Sequence, residues 1–240
     1  MQLIPAIDIM GGSVVRLTKG DPASRKGYDM SPLTAALEWQ AQGAEYIHII
    51  DLDAALGKTP NTGMIKEIAS KLDVPIQVGG GIQSFEKAAC LLDQGIDRVI
   101  LGSMAIKKPE ETLKLIESYG PDRVVIALDH RDRLITIQGW QENTEERLDD
   151  VMAKYTKSGF DWFLVTNVDT DGMFTGPDVE TLGRITAKGS IIASGGISGL
   201  SDLTQLNGIG VKAVVVGKAL YEGRFTVVDA LRTIREAVEC

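Results

Sequence analysis

The chain has 240 residues, 44% of them hydrophobic and 24% charged, and this composition is typical of a folded protein without a metal or disulfide framework. The net charge of −8 argues against general electrostatic binding to nucleic acid or to an anionic membrane. The apolar runs are too short to cross a bilayer, and the two cysteines, Cys90 and Cys240, form no CxxC pair. Residues 1–8 have the pattern of a strand rather than that of a signal peptide. We therefore expect a cytoplasmic protein that binds neither nucleic acid nor membrane.

Short β-branched segments alternate with amphipathic ones along the whole chain. They predict eight strands, over residues 3–7, 46–50, 75–78, 98–101, 123–128, 162–165, 190–193 and 213–216. Start and stop signals between the strands predict helices. The clearest run from Ser31 to Gly43, from Ser84 to Gly95, from Thr144 with Glu145 and Glu146 in its first turn to Gly159, and from Thr226 to Val238.

This order of strand and helix, repeated eight times, predicts an α/β fold of the (β/α)₈ TIM-barrel type. A doubly wound open sheet is the alternative layout, and the helix after the last strand favours the barrel. No Ser/Gly linker or charged block divides residues 1–240, so we expect a single domain.

The chain also contains an internal repeat. Residues 78–84 align with residues 193–199, and residues 99–103 align with residues 214–218 at the same spacing. Asp8, at the end of the first predicted strand, matches Asp129, at the end of the fifth. Such a repeat is too long for a solenoid unit and predicts two half-barrels, about 1–122 and 123–240.

Glycine-rich turns follow equivalent strands in the two halves. Glycine lets a backbone approach a ligand closely, and N–H groups at the start of a helix attract anions. A tight turn without a ligand is the alternative, but the second copy favours phosphate binding and a ligand with a phosphate at each end. The candidate phosphate-binding residues are Gly79, Gly80, Gly81, Gly102, Ser103, Ser194, Gly195, Gly196, Gly217 and Lys218.

Asp8 and Asp129 end their strands, at the position where catalytic residues of such barrels stand. A carboxylate pair across the barrel mouth can divide into a general acid and a general base. A helix cap or a salt bridge is the alternative for either residue alone. No HxH, HExxH or EF-hand spacing is present, so we expect no metal site.

Four further residues have two interpretations each. Asp51 and Thr166, at strand ends, could orient a substrate or cap the following turn. Trp140, in an expected loop over residues 135–140, is either a packing residue or a stacking surface for a flat ring, and stacking is slightly favoured. His48, inside the second strand, is interpreted as a residue of the core or lumen rather than as a catalyst.

Residues 4–8 and 12–17, followed by Gly20-Asp21, resemble the opening of the phosphoribosylformimino-AICAR ribotide isomerase family of histidine biosynthesis. The resemblance covers essentially the whole chain, through residues 50–55, 78–82, 101–103, Asp129, 139–140, 171–172, 194–196 and 216–220. It implies a two-half (β/α)₈ barrel that converts an aminoaldose with two phosphoribosyl ends into an aminoketose by an Amadori rearrangement, without a cofactor.

The resemblance also implies roles for individual residues. Asp8 would be the general base and Asp129 the general acid, with Thr166 in a supporting position. Many relatives have a histidine and an acid on either side of that threonine, where this chain has Val165 and Asn167. The residues implied in substrate binding, besides those of the glycine-rich turns, are Arg16, Asp51, Trp140, Asp171 and Gly172.

Three alternatives share most of these motifs. The cyclase subunit of imidazole glycerol phosphate synthase has a Cys-Leu-Asp start and a nearby lysine, whereas this chain has Ala6-Ile7-Asp8 followed by Arg16. A dual-specificity isomerase would also accept phosphoribosyl anthranilate. A barrel that only binds a phosphorylated metabolite would be expected to lack one strand-end aspartate. We expect a monomeric isomerase that acts on a small bis-phosphorylated molecule.

Overall fold

Eight parallel strands close into a barrel in the computed structural model, which describes residues 1–237. The strands in chain order are β1 (Gln2–Met10), β2 (Ser13–Thr18), β3 (Asp21–Gly27), β4 (Ile47–Asp51), β5 (Ile76–Gly79), β6 (Arg98–Leu101), β7 (Val124–Arg131), β8 (Leu134–Ile137), β9 (Glu142–Arg147), β10 (Trp162–Asn167), β11 (Ser190–Ser194) and β12 (Ala213–Val216). The barrel consists of β1, β4, β5, β6, β7, β10, β11 and β12. Parallel pairing of β7 with β10 and of β12 with β1 closes the ring.

Helices follow the barrel strands and cover the outside of the ring. They are α1 (Pro32–Ala41), α2 (Leu52–Ala55), α3 (Thr62–Lys71), α4 (Phe85–Asp93), α5 (Ser103–Lys107), α6 (Pro109–Tyr119), α7 (Leu148–Lys157), α8 (Val179–Ile185), α9 (Leu200–Gly208), α10 (Lys218–Tyr221) and α11 (Val227–Glu236), with short 3₁₀ turns at Pro121–Arg123 and Thr186–Lys188. None of the helices within residues 1–237 combines the length and the apolar composition needed to cross a bilayer.

The (β/α)₈ barrel prediction is confirmed, and all eight predicted strands are barrel strands. Closure of the sheet excludes the open, doubly wound alternative. The last predicted helix is α11, while its expected final residue, Val238, and also Cys240, lie outside the described residues.

Alternate residues of each strand face two different layers. One set, including Ile7 and Ile49, packs between the barrel and the surrounding helices. The other set points into the barrel, where Ile4, Ala6 and Leu164 belong to an apolar cluster that fills the interior. Burial on both faces explains why these strands have continuous β-branched runs.

Two antiparallel hairpins extend the barrel at equivalent places in the two halves. β2 and β3 follow β1, and β8 and β9 follow β7. The expected loop over residues 135–140 is wrong in part, because residues 134–137 form β8. The hairpins therefore stand on the two strands that carry Asp8 and Asp129.

The predicted helix start at Thr144 is wrong. Thr144 lies in β9, and its hydroxyl donates a hydrogen bond to the carbonyl of Ile135 in β8. α7 begins instead at the buried Leu148, with Asp149 and Asp150 in its first turn. Glu145 and Glu146 lie in the exposed strand β9. Asp149 and Asp150 therefore supply the negative charge that favours the start of the helix.

Candidate active site

A cavity of about 680 Å³ opens where the barrel strands reach their carboxyl ends. This volume lies within the range of small-molecule binding sites. Asp8, Asp129, Thr166 and both glycine-rich turns line the cavity. The fold therefore brings the two candidate catalytic carboxylates to one chamber, as the repeat predicts.

Asp8 forms an ion pair with Arg16 of the first hairpin. The antiparallel register places Asp8 opposite Val15, so the neighbouring arginine can reach back to the carboxylate. Arg16 Nη1 lies 2.7 Å from Asp8 Oδ2, and Arg16 Nη2 lies 3.9 Å from Asp171 Oδ1. Burial raises the pKa of Asp8 above its ordinary value, and the Arg16 charge acts in the opposite direction. Asp8 thus has a permanent cation that favours its ionised form.

Asp129 has a different environment. Trp140 Nε1 donates a hydrogen bond of 2.8 Å to Asp129 Oδ2, and Thr166 lies opposite Asp129 in the β7–β10 register. Burial raises the pKa of Asp129 to about 6, although hydrogen bonds from Trp140 and Thr166 lower it. Its hydrogen-bond donors are neutral and the charge of Asp171 also raises its pKa, so Asp129 can hold a proton at a pH where an ordinary aspartate cannot. Two carboxylates with unlike surroundings suit a general acid and a general base.

The two hairpins meet over the mouth of the barrel. A Cβ atom placed on Gly20, at the turn between β2 and β3, would lie only 2.6 Å from the indole of Trp140. Trp140 thus packs against the first hairpin while it donates to Asp129 from the second. The packing interpretation describes this structure, and stacking of the indole on a ligand stays a prediction.

The glycine-rich turns are shaped by close backbone contacts. Gly81 and Gly196 both have positive φ angles, of +66° and +79°. A Cβ atom at Gly81 would lie 2.4 Å from the carbonyl of Ala54, and one at Gly196 would lie 2.1 Å from the carbonyl oxygen of Gly176. Backbone packing alone is therefore a sufficient reason for glycine at both positions, and phosphate binding stays a prediction.

The short helices α5 and α10 begin at equivalent places but differ in chemistry. Ser103 Oγ accepts a hydrogen bond of 2.8 Å from the backbone N–H of Gln138, whereas Lys218 Nζ donates one of 2.7 Å to the Gly172 carbonyl. Beside Lys218, the guanidinium of Arg16 lies against Gly217, where a Cβ atom would come within 2.7 Å of Cζ. Gly217 therefore leaves room for an arginine.

Asp51 does not line the cavity. Its carboxylate caps α2 by accepting from the backbone N–H of Ala54 at 3.0 Å, and it also accepts from the Asn61 backbone at 2.7 Å. The side chain of Asn61 donates to both Asp51 and Asp53, and Asp53 in turn accepts from the Gly11 backbone at 2.6 Å. For Asp51 the structure shows the capping alternative. The cluster fastens the start of the first hairpin to the loop after β4.

Among the residues that line the cavity, sequence reasoning missed two lysines and a phenylalanine. Lys107 and Lys108 lie at the end of α5, and this basic pair one turn after Ser103 is a signal that could have been read. Phe174 lies beneath two cations, with Lys218 Nζ 4.7 Å from its ring centre. No motif marks that contact. Within residues 1–237, no group of three His, Cys, Asp or Glu side chains is arranged to hold a metal ion.

Residues 2–226 match the family model described as "Histidine biosynthesis protein". The chain belongs to this family. It is 43% identical over 226 residues to a protein of Halothermothrix orenii, with 93% of this chain and 95% of the relative covered. It is 42% identical over 234 residues to a protein of Methanothermobacter thermautotrophicus, with 97% and 98% covered. Both relatives are named 1-(5-phosphoribosyl)-5-((5-phosphoribosylamino)methylideneamino) imidazole-4-carboxamide isomerase, and the resemblance stated from the sequence is confirmed.

Proposed function

We propose that this chain is an isomerase of histidine biosynthesis. It would convert the aminoaldose N′-(5′-phosphoribosyl)formimino-5-aminoimidazole-4-carboxamide ribonucleotide into the corresponding aminoketose, the reaction type for which its relatives are named. The observation that carries the proposal is the unlike electrostatic environment of Asp8 and Asp129 at one cavity. Asp8 pairs with a cation, and Asp129 has neutral donors.

The mechanism consists of two proton transfers, each made by a positioned carboxyl group. Asp129, protonated, gives its proton to the ring oxygen of the aminated ribose, and the ring opens to a protonated Schiff base. The Asp8 carboxylate then removes the proton from C2′, and the electron pair of the C–H bond moves to form the enolamine. Tautomerisation of the enolamine gives the ketose. Each transfer by a positioned group contributes about 10² to 10⁴-fold to the rate.

Local cations support binding of a ligand with a phosphate at each end. The chain carries a net charge of −8, so a bis-phosphorylated molecule needs local attraction. Lys107 and Lys108 line the cavity beside the α5 turn, and Arg16 and Lys218 lie beside the α10 turn. The backbone N–H groups of the two glycine-rich turns would add to these charges. In this proposal each half of the barrel binds one phosphate.

The proposal treats residues 1–240 as one domain made of two half-barrels, about 1–122 and 123–240. We also propose that the protein is a cytoplasmic monomer and that it needs no cofactor, as expected from the sequence. The relatives named as isomerases match nearly the full length of the chain, which supports this activity over that of a cyclase subunit.

The test is a direct assay. Purified protein is offered the aminoaldose, and separately phosphoribosyl anthranilate, while absorbance is followed and the product is identified by mass spectrometry and NMR. Conversion of the aminoaldose to the aminoketose is expected. Absence of conversion by the folded protein would overturn the proposal, and turnover of both compounds would identify the dual-specificity alternative.

A further inference from the structure

A polar pair lies below the two aspartates in the interior of the barrel. His48 in β4 and Gln77 in β5 are direct partners in the strand register. Gln77 Nε2 lies 2.9 Å from His48 Nδ1, and the two residues are only 0% and 4% exposed, Gln77 the more deeply buried. Ile100, Leu164 and Val215, which also face the lumen, are apolar. Burial of polar groups in such a layer costs free energy unless they are hydrogen-bonded, and the contact between Gln77 and His48 offsets only part of that cost.

The hydrogen bond between the two side chains sets the tautomer of the imidazole. With the Gln77 amide in this orientation, its Nε2 donates to Nδ1 of His48, and the ring proton is then on Nε2. Burial and the nearby Arg16 charge lower the pKa of His48 to about 3, so the ring is neutral near pH 7. His48 lines the cavity, and among the described residues its one hydrogen bond is that of Nδ1 with Gln77. A neutral N–H donor is therefore left for a ligand.

The position of the ring relative to Asp8 identifies what it can reach. Ala6 lies opposite His48 in the β1–β4 register, so His48 is one inward-facing position below Asp8 on the adjacent strand. A sugar whose C2′ lies against the Asp8 carboxylate would therefore have the His48 ring one layer below it.

We propose that His48 binds the reacting sugar, with its Nε2–H as a hydrogen-bond donor to a sugar oxygen, and that Gln77 positions the ring for this contact. The identity of the ligand rests on the proposed isomerase function. A neutral donor orients the sugar without exchanging protons with either aspartate. A cationic histidine at this place would instead compete with Arg16 for the Asp8 carboxylate.

Two variants separate the donor from the space it fills. His48→Leu removes the N–H, whereas His48→Gln keeps an amide N–H near the position of Nε2. We expect His48→Leu to lower kcat/KM about 10- to 100-fold, the effect of losing one or two good hydrogen bonds to a bound substrate. His48→Gln should restore most of that loss. Circular dichroism and thermal melts establish that both variants are folded.

Nitrogen-15 NMR of the imidazole provides a readout that does not depend on turnover or on a variant of His48. The chain has two histidines, so a His130→Gln variant assigns the signals. The Nε2–H tautomer of His48 should persist from pH 5 to pH 8, and its Nε2 signal should move when the aminoaldose binds to Asp8→Asn protein. His130 does not line the cavity and serves as the internal control.

The outcomes distinguish this proposal from the one on which it rests. If the wild-type protein does not isomerise the aminoaldose, both fail. Only the assignment of His48 fails if the wild type is active and His48→Leu keeps its full kcat/KM. The same holds if the wild type is active and the Nε2 signal does not move when the aminoaldose binds. An Nδ1–H tautomer would also overturn it, because Nε2 would then be an acceptor.

Discussion

Trp140 and Asp129 are joined by a hydrogen bond of 2.8 Å that runs from the second hairpin to the end of β7. Because the indole N–H favours the ionised carboxylate, it lowers a pKa that burial raises. We therefore expect Trp140→Phe to raise the pKa of Asp129 further above about 6. Carbon-13 NMR of the aspartate carboxyls measures the shift, and a pKa that stays the same or falls would contradict the assigned role of the indole.

Substitution of either aspartate should remove catalysis but not binding. Asp8→Asn and Asp129→Asn keep the size of the side chain and remove its ability to transfer a proton. We expect each to lower kcat at least about 100-fold while the aminoaldose still binds. Asp150→Asn, at an exposed position of α7, is the matched control. Near-normal turnover by either active-site variant would show that the acid–base assignment is wrong.

The raised pKa of Asp129 also has a cost in stability. Its folded-state pKa of about 6 exceeds the ordinary 3.8, so the uncharged form is favoured on folding. The contribution of Asp129 to stability is fully present below about pH 4, is lost as the pH rises through about 6, and stays lost above it. The difference in unfolding free energy between Asp129→Asn and wild type should therefore be about 1 to 3 kcal/mol more favourable to the variant at pH 8 than at pH 3.5. Urea unfolding at the two pH values measures the difference, with Asp150→Asn at an exposed position as the control.

Activity should survive metal removal. The chain shows none of the metal-binding spacings sought in its sequence, so we expect exhaustive EDTA treatment followed by gel filtration to leave kcat unchanged. The same treatment of a zinc hydrolase, run in parallel, confirms that chelation is effective. Loss of activity that a divalent ion restores would overturn this expectation.

Gly196 and Gly183 should respond to alanine in opposite ways. At Gly196 the positive φ and the contact of 2.1 Å between a built Cβ atom and the Gly176 carbonyl oxygen predict a loss of more than about 1 kcal/mol in unfolding free energy. Gly183 lies within α8, with no atom within 4 Å of a Cβ atom, and alanine there should stabilise by about 0.5 to 1 kcal/mol. Chemical denaturation measures both. If alanine at Gly196 stabilised the protein as much as alanine at Gly183, the turn would relax with no loss of unfolding free energy, and the prediction would be wrong.

The barrel could be predicted because strands that are buried on both faces have continuous runs of apolar, β-branched residues. Strands such as β6 and β12 match their predicted bounds, since a continuous β-branched run has no other place in this fold. Asp129 could be found as well, because the repeat places it on Asp8. The acidic residues around Thr144 are exposed, and such residues occur in a hairpin strand as readily as at the start of a helix. Their sequence therefore does not distinguish the two structures.

The roles of Asp51 and Arg16 depend on contacts that no local pattern contains. Asp51 could be a cap or a ligand-binding residue from its sequence context, and the position of Asn61 in space decides between them. Arg16 entered only through family resemblance. Its contact with Asp8 follows from the antiparallel register of β1 and β2, and β2 is not among the eight predicted strands.

Arg16 rests on Gly217, directly after the last barrel strand, while it holds Asp8 at the end of the first. The counter-ion of the candidate base is thus assembled from the two extremes of the barrel sequence. β12 lies between β1 and β11, so the last barrel strand supplies the surface beneath the guanidinium. The seam between β12 and β1 therefore also completes the electrostatic surroundings of Asp8. A substitution that separates these two strands would disturb the ion pair of Asp8 without replacing either of its partners.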